Sequence, residues 1–160
     1  MQLISSGLRL SKSRVLVVCI GNRVRGDDGA GQRVADILES EHGITAVRVQ
    51  TPAELLNIPL DDVSHLVVVD ALERVSRSGE IHRFQSVENL STAVPWRSTH
   101  TMSVPEALKL MKLLTTFPEK ITIYGIEGES FQPGVGISEG VEKACRIVAK
   151  EIAKFFSRDE

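Results

Sequence analysis

Several features that would point to familiar protein classes are scarce in this chain. Of its 160 residues only Cys19 and Cys145 are cysteines, which excludes a disulfide framework and suits a reducing compartment. No excess of positive charge exists either. The net charge is −2, so composition gives no reason to expect nucleic acid or an anionic membrane as a partner. The longest unbroken apolar run, Val15 to Ile20, falls far short of the roughly 20 residues that span a bilayer. The first residues carry Arg9, Lys12 and Arg14 without the apolar stretch of a signal peptide, and residues 1–13 read as a loose N-terminal arm. Low complexity, internal repeats and an interdomain linker are also lacking, so residues 14–157 are expected to form one domain.

What remains alternates between two periods. Val15 to Ile20 is short, continuous and β-branched, as a strand buried on both faces reads. Gly21-Asn22 stops it. Ala30, Val34, Ile37 and Leu38 then share one helical face, and Gly43 is placed to end that helix. Thr45 to Val49 reads as a second strand. Thr51-Pro52-Ala53-Glu54 is a capping box with proline at the first helical position. Leu66 to Val69 reads as a third strand, with Asp70 at its end. Gly79 to Phe84 has poor alternation and suits a sheet edge. Residues 85–99 read as a long loop, and Ser103-Val104-Pro105-Glu106 is a second capping box. Ile121 to Tyr124 is the fifth strand, residues 127–136 a loop, and Ser138 the cap of a last helix carrying Val141, Cys145, Val148 and Ile152 on one face. Strands alternating with helices predict an α/β three-layer sandwich. Its twisted, mostly parallel five-stranded sheet would be covered on both faces.

Such sheets hold ligands outside the carboxyl ends of their strands. The loop after the first strand, Gly21 to Gly31, stands where a nucleotide loop would be. It lacks both the Gly-x-Gly-x-x-Gly pattern and the phosphate-binding lysine motif. Asp27 and Asp28 would moreover repel a phosphate from the helix start. One aspartate caps the helix in the simplest reading, which leaves the other to point into the cleft. Asp70 and His100, the latter in Ser98-Thr99-His100-Thr101-Met102, are expected near the same edge. Two carboxylates and an imidazole suit a divalent first-row metal, and three protein ligands leave positions open for water or a substrate group. His42, His65 and His82 are assigned to structure or surface, and the two cysteines to the core. Spacing alone does not show that Asp28, Asp70 and His100 converge.

These segments resemble the hydrogenase maturation endopeptidases. Gly21-Asn22 followed by Asp27-Asp28-Gly29-Ala30-Gly31 resembles the family's opening motif. Asp70-Ala71 with Gly79 resembles the second and Ser98 to Met102 the third. Tyr124-Gly125-Ile126 with Gly136-Ile137-Ser138 resembles the closing pattern. Two positions depart from it: Glu127-Gly128 stands where many members have Gln-Pro, and Ser78 where proline is usual before the glycine. The resemblance implies a nickel-dependent endopeptidase that trims the C-terminus of a [NiFe]-hydrogenase large subunit precursor. Asp28, Asp70 and His100 would be its metal-binding and catalytic positions. It implies nickel carried by the substrate rather than held tightly by the enzyme. A cytoplasmic monomer without nucleic acid or membrane partners is expected. The metal would polarise the scissile carbonyl or bring the pKa of a water from about 15.7 toward about 7, with Asp or His as an alternative general base. A non-catalytic checkpoint that binds a nickel-loaded partner is the alternative from another class, and a nucleotide-binding module a third.

Overall fold

The computed structural model describes residues 14–88, 90–96 and 102–157. The N-terminal arm expected over residues 1–13 lies outside the described residues, and so does His100.

A five-stranded sheet has the order β2-β1-β3-β5-β4. Its strands are β1 (Arg14–Ile20), β2 (Val47–Val49), β3 (Val63–Leu72), β4 (Ile81–Phe84) and β5 (Lys120–Glu127). All neighbours pair in parallel except β4, which runs antiparallel to β5 at the edge. The helices are α1 (Ala30–His42), the short α2 (Leu90–Ala93), α3 (Val104–Leu114) and α4 (Glu139–Ser157). Two 3-10 segments, Gly26–Gly29 and Pro52–Asn57, complete the chain.

Alternation along the strands divides the core in two. Val17, Cys19, Val67, Val69, Tyr124 and Ile126 pack against α1 and α4. Leu16, Val18, Ile20, Leu66, Val68 and Ile123 pack against α3 and the Pro52–Asn57 segment. Both faces are therefore covered, as the unbroken apolar runs required. Gly43 ends α1 in the left-handed conformation with φ 66°. Both capping boxes form: Glu54 takes the Thr51 N–H at 3.0 Å, and Glu106 takes the Ser103 N–H at 2.8 Å. The Arg33 guanidinium grips Glu142 with two bonds of 2.9 Å and ties α1 to α4.

Several boundaries differ from the sequence reading, among them the edge strand, which begins at Ile81 rather than Gly79. The second strand is confined to Val47–Val49 rather than Thr45 to Val49. The third runs to Leu72 instead of stopping at Val69, because β5 continues beside it as far as the Leu72–Glu127 pair. Asp70 therefore lies inside β3, not at its end. The fifth strand, likewise, extends past Tyr124 to Glu127. The long loop expected over residues 85–99 contains α2, and Trp96 closes back on β3 through a bridge to Leu72. Trp96 is buried, and its indole N–H donates to the Leu90 carbonyl at 3.0 Å.

Candidate active site

The crevice between β1 and β3 is a topological switch point. From β1 the chain passes through α1 to β2 on one side, while β3, β5 and β4 lie on the other. Asp28 follows β1 and Asp70 lies in β3, so two neighbouring strands supply a carboxylate each to this edge.

Asp28 reaches its place through a sharp reversal at Gly21, whose φ of 151° few other residues adopt. A Cβ there would come within 2.0 Å of the Asp28 carbonyl oxygen. The following Asn22 N–H is shared between that carbonyl, at 3.1 Å, and Asp28 Oδ2, at 3.0 Å. The Asp28 side chain thus folds over the end of β1 and stays half-buried.

Asp70 is only 3% exposed in an otherwise apolar strand. By alternation it shares the face of Val68 and Leu72, toward α3, and its Oδ1 accepts the Ala71 N–H at 2.8 Å. A buried carboxylate in such a strand is costly unless it is bonded or serves a ligand. A structural turn residue would not require that position in the middle of a sheet.

Asp27 behaves differently from the simplest expectation. Neither aspartate caps α1, whose N-cap is Gly29 and makes no side-chain cap bond. Asp27 is 1% exposed and spans to the loop before α4. Its Oδ2 accepts the N–H of Glu129 at 2.7 Å and of Ser130 at 3.2 Å, and its Oδ1 that of Ser138 at 2.8 Å. The Ser138 hydroxyl also donates to Asp27, at 2.9 Å, while its carbonyl accepts the Glu142 N–H of α4. The pair of aspartates is thus divided: Asp27 ties down the loop before α4, while Asp28 folds back on Asn22 beside the end of β1.

Glu127 was marked in the sequence only as a departure from the family pattern. It is a second buried framework carboxylate at the root of the cleft. Its Oε1 gathers the N–H groups of Val75, Ser76 and Arg77 at 2.9, 2.9 and 3.1 Å, and its Oε2 lies 2.6 Å from His82 Nε2. Burial opposes its charge, but His82 and the three N–H groups outweigh burial and hold the carboxyl down at about 2. His82 is therefore structural, as is His65, whose Nε2 lies 2.8 Å from Thr122 Oγ1 and whose ring packs on Phe155. Burial pushes the Cys19 thiol up to about 12 and also raises that of Cys145, so neither serves as a nucleophile.

The donor set at the edge is one of oxygen atoms. Among the described residues no group of three or more His, Cys, Asp or Glu side chains stands ready to hold a metal ion. His100 is outside that search. No helix among the described residues is long and apolar enough to cross a membrane.

Fold and edge together define an α/β protein with a carboxylate-bearing cleft at its switch point. The model of the HycI hydrogenase maturation protease family matches residues 50–155, which includes Asp70 and His100. The chain belongs to the hydrogenase maturation protease family. It is 24% identical over 144 residues to the hydrogenase 2 maturation protease of Escherichia coli K12, covering 87% of this chain and 88% of that one. The [NiFe] hydrogenase maturation protease HycI of Thermococcus kodakarensis KOD1 superposes with a TM-score of 0.71 at 23% identity, over 96% of this chain and 99% of that one. HybD of the same organism gives 0.69 at 25% identity, over 88% and 97%. The fold expectation is met, and the chain is placed among peptidases.

Proposed function

We propose that this protease removes the C-terminal extension of a [NiFe]-hydrogenase large subunit precursor after nickel has been inserted. In this reading Asp28, Asp70 and His100 engage the nickel that the substrate carries. The observation that supports it most is the buried Asp70 carboxylate at the switch point, one strand away from Asp28. His100 stands three residues before Ser103, the N-cap of α3, and α3 covers the sheet face that Asp70 shares. Carboxylates and an imidazole are ordinary donors for a divalent first-row ion. With so few protein donors the ion leaves with its substrate.

Substrate-borne nickel acts as a Lewis acid toward the scissile carbonyl or a water. The chain's own groups orient that ion and the peptide against the end of β1. Hydrolysis breaks the amide C–N bond, adds hydroxide to the carbonyl carbon and delivers a proton to the leaving amine. A carboxylate or imidazole at this edge carries that proton. A precursor without nickel lacks the anchor and escapes cleavage. The two buried, unpaired cysteines suit a cytoplasmic site of action.

The test is Asp70→Asn, which keeps the shape and one acceptor oxygen while removing the charge. The variant should fold with unchanged circular dichroism and leave the precursor at full mass. Normal cleavage by it would remove Asp70 from the site. Binding without cleavage by the wild type would make the protein a checkpoint instead.

A further inference from the structure

β1 and β3 pair only as far as Cys19 and Val69, while β3 continues to Leu72. At Gly21 the chain leaves β3. The Gly21 N–H donates to the Val49 carbonyl of β2 at 3.0 Å, and the Asn22 N–H turns to Asp28. Beyond Val69 the β1 side of β3 is therefore free for another partner. The Gly128 N–H donates to the Leu72 carbonyl on the β5 side at 3.0 Å, so the polar groups of Glu73 face the β1 side. Pro95 and Trp96 take that place. The Glu73 N–H donates to the Pro95 carbonyl at 3.1 Å, and Trp96 bridges Leu72 in the antiparallel sense. A segment from farther along the chain thus stands at the switch point, beyond the end of β1.

Trp96 is fixed there from three directions. Its partner Leu72 lies two residues past Asp70 and, by alternation, on the same face. Side chains directly opposed in a bridge share a face, so the indole stands on the Asp70 side of the sheet, within the same apolar cluster as Leu72. The indole N–H is tied to the Leu90 carbonyl of α2, and the ring tilts against Phe84 of β4 with centroids 6.0 Å apart. The chain passes Trp96 antiparallel to β3, heading back in the direction of Asp70. Its next anchor is Ser103, the N-cap of α3, followed by Val104, which is fully buried in that same cluster. Only residues 97–102 separate the two anchors, and His100 is among them.

We infer that Trp96 is a positioning residue of the peptidase: its bridge to Leu72 directs the chain that carries His100 toward Asp70, across the edge of β3 that β1 has left. The inference rests on the reading of Asp28, Asp70 and His100 as the residues that engage nickel. Trp96 acts through the segment it anchors and not on the substrate. A tryptophan that only filled the core would need its ring contacts alone. Here the backbone on both sides of the Pro95–Trp96 bond is also paired to the two residues that end β3. Such an anchor matters because a catalytic group displaced by about 1 Å can cost on the order of a hundredfold in rate. Locked supporting side chains are what hold it in place.

The experiment compares the wild type, Trp96→Leu, Trp96→Phe and the control Ile121→Ala. Ile121 belongs to the same apolar cluster but pairs with Leu66 near the start of β5, at the opposite end of the sheet. Cleavage of the nickel-loaded precursor is measured well below the Tm of every variant. The affinity of each isolated protein for Ni²⁺ alone is measured by equilibrium dialysis. Trp96→Leu should lower kcat about tenfold with little change in KM, and should weaken Ni²⁺ binding severalfold. Trp96→Phe keeps a ring against Phe84 but loses the bond to Leu90, and should fall between Trp96→Leu and wild type. Ile121→Ala should lose stability yet keep the wild-type kcat and Ni²⁺ affinity. Wild-type kcat and Ni²⁺ affinity in Trp96→Leu overturn the inference while the processing function stands. Equal losses in Trp96→Leu and Ile121→Ala overturn it too, because they would follow stability. Should Trp96→Leu not fold, Trp96→Phe decides: intermediate values support the inference and wild-type values overturn it. A wild type that binds Ni²⁺ without cleaving overturns the processing function, and a loss of Ni²⁺ affinity confined to the Trp96 variants then keeps the inference. A wild type that neither cleaves nor binds Ni²⁺ overturns both.

Discussion

Asp27 and Ser138 are joined twice: the Ser138 N–H meets one carboxylate oxygen at 2.8 Å and its hydroxyl meets the other at 2.9 Å. This pairing fixes the start of α4 against the segment that carries Asp28. Adjacent aspartates in the sequence thus perform separate tasks, since every acceptor site used on Asp27 faces inward.

Asp27→Ala should destabilise the protein by about 3 kcal/mol or more, because several donors to a buried charge lose their acceptor together. Asp27→Asn should cost less, since one acceptor oxygen remains. Urea unfolding of the three proteins checks the order. Equal stability of wild type and Asp27→Ala would show that water replaces the carboxylate without loss.

Glu127 predicts a pH dependence. In the folded protein its pKa lies at about 2, below the ordinary glutamate value of 4.5. The unfolded state therefore binds the proton first as pH falls. The stability linked to Glu127 is fully present above the unfolded value and drains away as pH drops from about 4.5 toward 2. Thermal unfolding of the wild type should show this slope, and Glu127→Gln should reduce it. Parallel slopes in the two proteins would mean that Glu127 titrates alike in both states.

At Gly31 the helix α1 lies close against the backbone of β1. A Cβ there would lie 2.2 Å from the Ile20 carbonyl oxygen, which is backbone and has little room to give. Gly31→Ala gains about 1 kcal/mol of helix propensity and loses about 1–3 kcal/mol or more to overpacking. The net effect should be destabilising, with a lower Tm. A raised Tm would mean that α1 shifts outward freely.

The legible parts of the fold were those written locally. Val15 to Ile20 announced a buried strand because every residue in it is apolar. Gly43 and the Ser103–Glu106 box announced helix ends because a cap acts within one turn. The end of β3 was not legible, because pairing of Ala71 and Leu72 with Ile126 and Glu127 of β5 keeps the chain extended past Asp70. The roles of Asp27 and Glu127 were hidden for the same reason: their partners lie 102 to 111 and 45 to 52 residues away in the chain. That Asp28 and Asp70 stand toward the carboxyl edge of a parallel sheet was legible in the sequence, but that β1 and β3 are neighbours was not, because strand order is set by pairing between distant segments.

Nickel gating is the central claim, and one assay addresses it most directly. The cognate large subunit precursor, with and without inserted nickel, is incubated with the purified protease and weighed intact by mass spectrometry. Loss of a C-terminal peptide from the nickel-loaded precursor alone is the predicted result. Equal cleavage of both forms, or cleavage of neither, would contradict it.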